Sequence, residues 1–129
     1  GYAFSSAIDT VMTLEALDMA VRHCSPPKGL IFHSERGVQC AAFAFRERLE
    51  FYGIRQSMSR KGNCIDNGAT EQVFGHMRDE FFRGRAWPDF ESSKADLDAC
   101  VAHWNTRRRR VKLKGLTPEE FRNQSLCAA

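Results

Sequence analysis

Two carboxylates stand where a divalent cation could be held. Glu35 follows the apolar run Leu30-Ile31-Phe32-His33, which reads as a buried strand, and open α/β sheets take ligands outside the carboxyl ends of their strands. Glu71 falls in the first turns of a helix that Asp66 or Asn67 would cap. Hard cations such as Mg²⁺ take oxygen ligands from a few carboxylates and leave room for phosphate and water. Two such ions about 4 Å apart activate an attacking oxygen and stabilise a leaving one. Arg78, seven residues after Glu71, would point nearly the same way on a helix and hold a phosphate beside the metal. Each residue also has a plainer reading. A helix N-terminus favours any acid, and Arg78 alone is an ordinary surface arginine.

The elements that must position these groups are legible in the patterning. Val11, Leu14, Leu17 and Val21 recur at helical spacing after Asp9 or Thr10, a possible cap, and predict a helix over residues 10–23. Pro26, Pro27 and Gly29 end it, and a short strand follows over residues 30–33. Phe43, Leu49 and Tyr52 mark a second helix with Gly53 beyond its end. Residues 54–58 read as a half-polar strand, and residues 59–63 as a polar loop. A third helix carries Val73, Phe74, Met77, Phe81 and Phe82, and a fourth covers about residues 92–107 with Leu97, Val101 and Trp104 on one face. Thr117-Pro118-Glu119-Glu120 is a helix start with cap, first-position proline and returning glutamate. Residues 2–5 read as a strand or its tail. Strands alternating with helices predict an α/β sheet with helices on both faces.

Composition narrows the class. At 129 residues, 43% hydrophobic and 27% charged, the chain is the size of one globular domain. No apolar run approaches a membrane span, and no signal peptide is visible. Cys24, Cys40, Cys64, Cys100 and Cys127 are scattered with no C-x-x-C pair. That argues against a disulfide framework or structural zinc and fits a reducing cytoplasm. The net charge is only +3, but Arg107, Arg108, Arg109, Arg110, Lys112 and Lys114 crowd a stretch with no acids. Such a block suits a phosphate backbone, or is simply a solvated basic helix end. His33-Ser34-Glu35 has the H-x-E form of zinc deaminases but no later P-C-x-x-C, so that reading is set aside. Phe81, Phe82, Trp87 and Trp104 have the spacing of core residues more than of a base-stacking platform.

Four blocks carry a resemblance: His33-Ser34-Glu35-Arg36-Gly37, Met58-Ser59-Arg60-Lys61-Gly62-Asn63-Cys64, Asp66-Asn67-Gly68-Ala69-Thr70-Glu71, and Trp104-Asn105 with Lys112-Leu113-Lys114-Gly115-Leu116-Thr117-Pro118-Glu119-Glu120-Phe121. In order and spacing they resemble the transposase core of the insertion-sequence-three family, kin of retroviral integrases. Thirty-five residues separate Glu35 and Glu71, similar to that family's D-D(35)-E spacing. The resemblance implies a ribonuclease-H-like α/β fold and DNA transposition by phosphodiester cleavage and strand transfer with two Mg²⁺ or Mn²⁺ ions. It places Glu35 on the second acidic position, Glu71 on the third and Arg78 on the basic position after it, with Arg60 and Lys61 in an active-site loop expected to touch phosphate. It further implies DNA partners (transposon ends and target), a homo-oligomer in the complete transposase, no membrane, and a bacterial cytoplasm.

The chain also departs from that pattern. The family has Asp where Glu35 stands; the extra methylene moves the carboxylate by about 1 Å, a misplacement worth roughly 10²-fold. The first acid of the triad is not matched, since Asp9, Glu15 and Asp18 lie on or cap the first helix. The fold is therefore expected to be an integrase core incomplete at its N-terminus, with the first two strands absent. Residues 1–88 would form the partial catalytic core, and residues 89–129 a helical, basic segment of the same domain. The strand at residues 2–5 would then lack a neighbour. We expect the chain by itself to be inactive and prone to aggregate. The alternative function is an inactive transposase fragment that only binds DNA or partner subunits. Sequence upstream of Gly1 would discriminate the two.

Overall fold

The computed structural model describes residues 1–7, 9–60 and 68–127. Along the chain run α1 (Thr10–Cys24), β1 (Ile31–Ser34), α2 (Val38–Ala41), α3 (Phe43–Phe51), β2 (Arg55–Met58), α4 (Gly68–Met77), a π turn (Arg78–Phe82), α5 (Phe90–Thr106), a 3₁₀ turn (Val111–Leu113) and α6 (Pro118–Cys127). They gather into two compact units, Gly1–Gly75 and His76–Ala129.

In the first unit, Asp9 caps α1 by accepting from the Met12 N–H at 2.8 Å, which satisfies one of the orphan donors of the first turn. The apolar stripe expected on α1 is the face that is used. Leu17 is buried with Phe45 and Leu49 of α3 and with Ile54, and Leu14, Val21 and Phe32 pack around them. Phe32 of β1 meets Phe45 with ring centroids 5.5 Å apart, so α3 lies against the sheet. Asp18 ties α1 to α3 by accepting from Arg48 and, at 2.9 Å, from the Tyr52 hydroxyl. Gly53 takes φ +67 just past α3, a conformation that costs a residue without Cβ little. Its turn feeds β2 alongside β1.

β1 and β2 are parallel, with Ile31 opposite Arg55 and Ser34 opposite Met58. This is the one sheet among the described residues. The expected strand at residues 2–5 does not form; those residues are irregular. No described strand offers them a ladder, and extended backbone needs a partner for its N–H and C=O groups.

In the second unit, the helix expected to run through Phe82 changes character at Arg78. The Arg83 N–H reaches the Arg78 carbonyl at 2.8 Å, the five-residue step of a π turn. Phe81 is thereby buried, with Trp87 5.2 Å and Phe82 4.8 Å away between ring centroids. Asp89 caps α5 by accepting from the Ser92 N–H at 2.7 Å, so this helix starts two residues before the expected position. The Thr117 box forms as its sequence requires: the Thr117 N–H donates to Glu120 Oε2 at 2.9 Å, and the Glu120 N–H to Thr117 Oγ1 at 3.2 Å.

Candidate active site

The parallel register brings two loop starts together. Beyond the last pair, Ser34 and Met58, Glu35 and Arg36 emerge from one strand beside Ser59 and Arg60 from the other. The ladder is prolonged by the Ser59 N–H, which donates to the Ser34 carbonyl at 2.9 Å, and by Arg36, whose Nε donates to the Ser59 carbonyl at 3.1 Å. His33 lies across from Ser57. Its Nδ1 is 3.0 Å from Ser57 Oγ and its Nε2 is 3.1 Å from Ser59 Oγ. No local sequence pattern announces this network. The available signal was the shared register of a histidine and a serine on adjacent strands.

Glu35 is exposed directly after β1, and Arg60 is exposed two residues past β2. Glu71 is exposed in the first turn of α4. Among the described residues neither carboxylate enters an ion pair or hydrogen bond. The structure thus brings Glu35 and Arg60 to one sheet end, and no described bond links Glu71 to that end. Lys61 and the expected capping residues Asp66 and Asn67 lie outside the described residues. No group of three or more His, Cys, Asp or Glu side chains suited to a metal is gathered among the described residues.

The arginines expected to meet DNA are not equivalent. Arg78 is largely exposed and makes only a 3.5 Å contact to its neighbour Asp79. Arg107 ends α5 and is exposed. Arg108 binds Glu80 through both terminal nitrogens and stands over Trp104, 4.1 Å from the ring centroid. Its hydrogen bond holds the Glu80 carboxyl below the usual range, and Glu80 raises Arg108 in turn. Arg109 donates to the Gly115 carbonyl at 3.0 Å and lies 3.6 Å from Glu120. Arg110 sits 5.2 Å from the Trp104 centroid.

Two family models, each described as Integrase core domain, match residues 1–64 and 71–126. The InsK protein of insertion sequence element IS150 of Escherichia coli (strain K12) is 36% identical over 124 residues, covering 96% of this chain and 44% of that protein. The chain belongs to the integrase-core family of insertion-sequence transposases. Transposase InsF of insertion sequence IS3A, also from Escherichia coli (strain K12), is 30% identical over 128 residues, with 98% of this chain and 44% of InsF covered. The chain therefore spans somewhat under half the length of these relatives. Its fold is that of retroviral integrase cores, as expected from the resemblance. The catalytic core domain of BIV integrase superposes with a TM-score of 0.69 at 17% identity, covering 93% of this chain and 74% of that one. A chain of the simian T-cell lymphotropic virus intasome, solved in complex with PP2A regulatory subunit B56 gamma, gives 0.67 at 15% identity over 82% of this chain and 37% of that one. Among the described residues no helix is long and apolar enough to cross a membrane.

Proposed function

We propose that this integrase-core chain takes part in DNA transposition by metal-dependent cleavage and strand transfer, with Glu35 and Glu71 as ligands for Mg²⁺ or Mn²⁺. The observation that carries this reading is the exit of Glu35 and Arg60 side by side from the carboxyl ends of two parallel strands, where open α/β sheets bind ligands. The donor chemistry fits a hard cation, because both carboxylates are exposed oxygen donors without protein partners among the described residues. Bound there, such ions would supply positive charge to the scissile phosphate and acidify an attacking oxygen. Arg60, Lys61 and Arg78 contact DNA phosphates, and so do the arginines of the run from Arg107 to Arg110. The DNA comprises transposon ends and target, handled by a homo-oligomer in the bacterial cytoplasm.

A second reading, DNA or subunit binding without catalysis, rests on the basic run from Arg107 to Lys114, which carries six cationic side chains and no acid. Mn²⁺ binding followed by electron paramagnetic resonance, and strand cleavage on transposon-end duplexes, separate the two. The catalytic reading expects Mn²⁺ affinity to fall at least about tenfold in Glu35→Gln and in Glu71→Gln. Undiminished Mn²⁺ binding in both variants would overturn it. DNA binding by the 129-residue chain without turnover supports the second reading for this chain taken alone.

A further inference from the structure

Ser59 is 4% exposed and stands one residue past β2. Four polar contacts from His33, Ser34 and Arg36 converge on it. Its N–H donates to the Ser34 carbonyl at 2.9 Å, its carbonyl accepts from Arg36 Nε at 3.1 Å, and its hydroxyl lies 3.1 Å from His33 Nε2 and 3.5 Å from the Ser34 carbonyl. Glu35 sits between Ser34 and Arg36, so the residues on both sides of it are fastened to this one serine. The polarity can be followed through the network. If the Ser59 O–H is aimed at the Ser34 carbonyl, its oxygen accepts from His33 Nε2–H. His33 Nδ1 is then the lone-pair nitrogen and accepts from the Ser57 O–H, a hydroxyl it meets at 3.0 Å. In this way the imidazole bridges β1 to both β2-side serines and fixes the Ser59 hydroxyl, which fixes the backbone that carries Glu35.

We propose that His33 is a positioning residue for Glu35, acting through the Ser59 hydroxyl. The inference rests on reading Glu35 as a cation ligand; the clamp itself is independent of any ion. A ligand misplaced by about 1 Å loses most of its value to catalysis, so a carboxylate on an exposed loop start needs such a second layer of bonds.

Two isosteres divide the bonds of His33. In His33→Gln the amide nitrogen reaches the place of Nε2 and keeps Ser59 as partner. In His33→Asn it reaches the place of Nδ1 and keeps only Ser57. Ser59→Ala removes the hydroxyl and leaves the backbone bonds. With ¹⁵N-labelled 129-residue chain, the Ser59 amide is expected to exchange at least about tenfold faster in His33→Asn and Ser59→Ala. The Glu35 backbone order parameter is expected to fall from about 0.85 toward 0.6 in the same two variants, and His33→Gln to stay near wild type. Unchanged Glu35 order in His33→Asn and Ser59→Ala, or equal loss in Gln and Asn variants, overturns the proposal, even if the thermal midpoint drops. Mn²⁺ titration of the same samples is a separate arm. Wild-type chain whose Mn²⁺ binding is indifferent to Glu35→Gln refutes the ligand reading, while the relaxation data still decide the clamp. If Mn²⁺ does bind at Glu35, its affinity falls about tenfold in His33→Asn and Ser59→Ala and is retained in His33→Gln.

Discussion

The guanidinium of Arg108 stands over Trp104 at 4.1 Å while both of its terminal nitrogens hold Glu80. One member of the basic run is therefore part of the scaffold, joining the π turn to the end of α5. Arg107, its neighbour in sequence, is exposed.

Substitution separates these roles. Arg108→Lys keeps the charge but loses the planar fork and the stacking. It is expected to lower stability by up to about 1 kcal/mol, since solvent screens the half-exposed Glu80, and the thermal midpoint by a few degrees, with little change in DNA affinity. Arg107→Ala is expected to weaken DNA binding and leave the midpoint in place. Differential scanning fluorimetry and fluorescence anisotropy on one set of samples check both, and a swap of the two phenotypes would discard the assignment.

Acid should loosen the fold. Burial pushes the Asp18 carboxyl up, but hydrogen bonds from Arg48 and Tyr52 outweigh it and hold the group low. The Arg108 side chain does the same for Glu80, the Ser92 backbone N–H for Asp89 and the Thr117 backbone N–H for Glu120. Groups whose folded pKa is depressed contribute stability above their unfolded values, and that stability is lost as pH falls through the folded ones. Thermal midpoints are thus expected to be flat from about pH 8 to 6 and to decline below about pH 4, where free carboxyls titrate. Asp18→Asn should lower the plateau and shallow the decline; a midpoint that rises on acidification would contradict the sign.

Ser34 Oγ is buried and has no hydrogen-bond partner among the described residues. A desolvated hydroxyl with no partner costs free energy, and removing it relieves that cost. Ser34→Ala is expected to be neutral or to stabilise by up to about 1 kcal/mol. Chemical denaturation gives the value. A loss above about 1 kcal/mol would mean that the hydroxyl has a partner after all.

Helices and strands were legible where one face is apolar or a cap is explicit. Leu17 and Val21 announce α1, and Thr117 with Glu120 announces α6, because these patterns act within a few residues. The π turn was hidden, since Phe81 and Phe82 fit an α-helical stripe and only the packing of Phe81 beside Trp87 shows where the backbone widens. The supposed strand at residues 2–5 had suitable residues, but pairing depends on partners that no local pattern contains. Glu35 and Glu71 could be proposed from their places after a strand and in a first helical turn, and from the family resemblance. The His33–Ser59 clamp could not, because it joins residues 26 apart through a register known only once β1 and β2 are aligned.

Phe43 and Phe51 are eight residues apart on α3 and are 67% and 81% exposed, with Val38 at 83% nearby in sequence. Residues at this spacing share a helix face, and large exposed apolar side chains favour association. Light scattering is expected to show concentration-dependent self-association of the purified chain, reduced by Phe51→Lys. Monomeric behaviour at high concentration in wild type would count against an adhesive α3 face.

Thr117 is buried and carries the cap of α6. Thr117→Ala is expected to cost about 1 kcal/mol and Thr117→Ser much less, as read from urea midpoints. Equal losses would point to the methyl group instead of the hydroxyl.

The internal pairing of the basic run changes what a salt titration should report. Of the six cationic side chains between Arg107 and Lys114, Arg108 already faces Glu80 and Arg109 lies by Glu120. Each phosphate met by a free cation releases condensed counterions, giving a slope of about −0.9 in log affinity against log salt. Four cations without a carboxylate partner among the described residues imply a slope near about −3.6 from this segment, against about −5.4 for all six. Were this segment to meet DNA, the carboxylates of Glu80 and Glu120 would make the attachment less sensitive to ionic strength than the bare count of arginines and lysines demands.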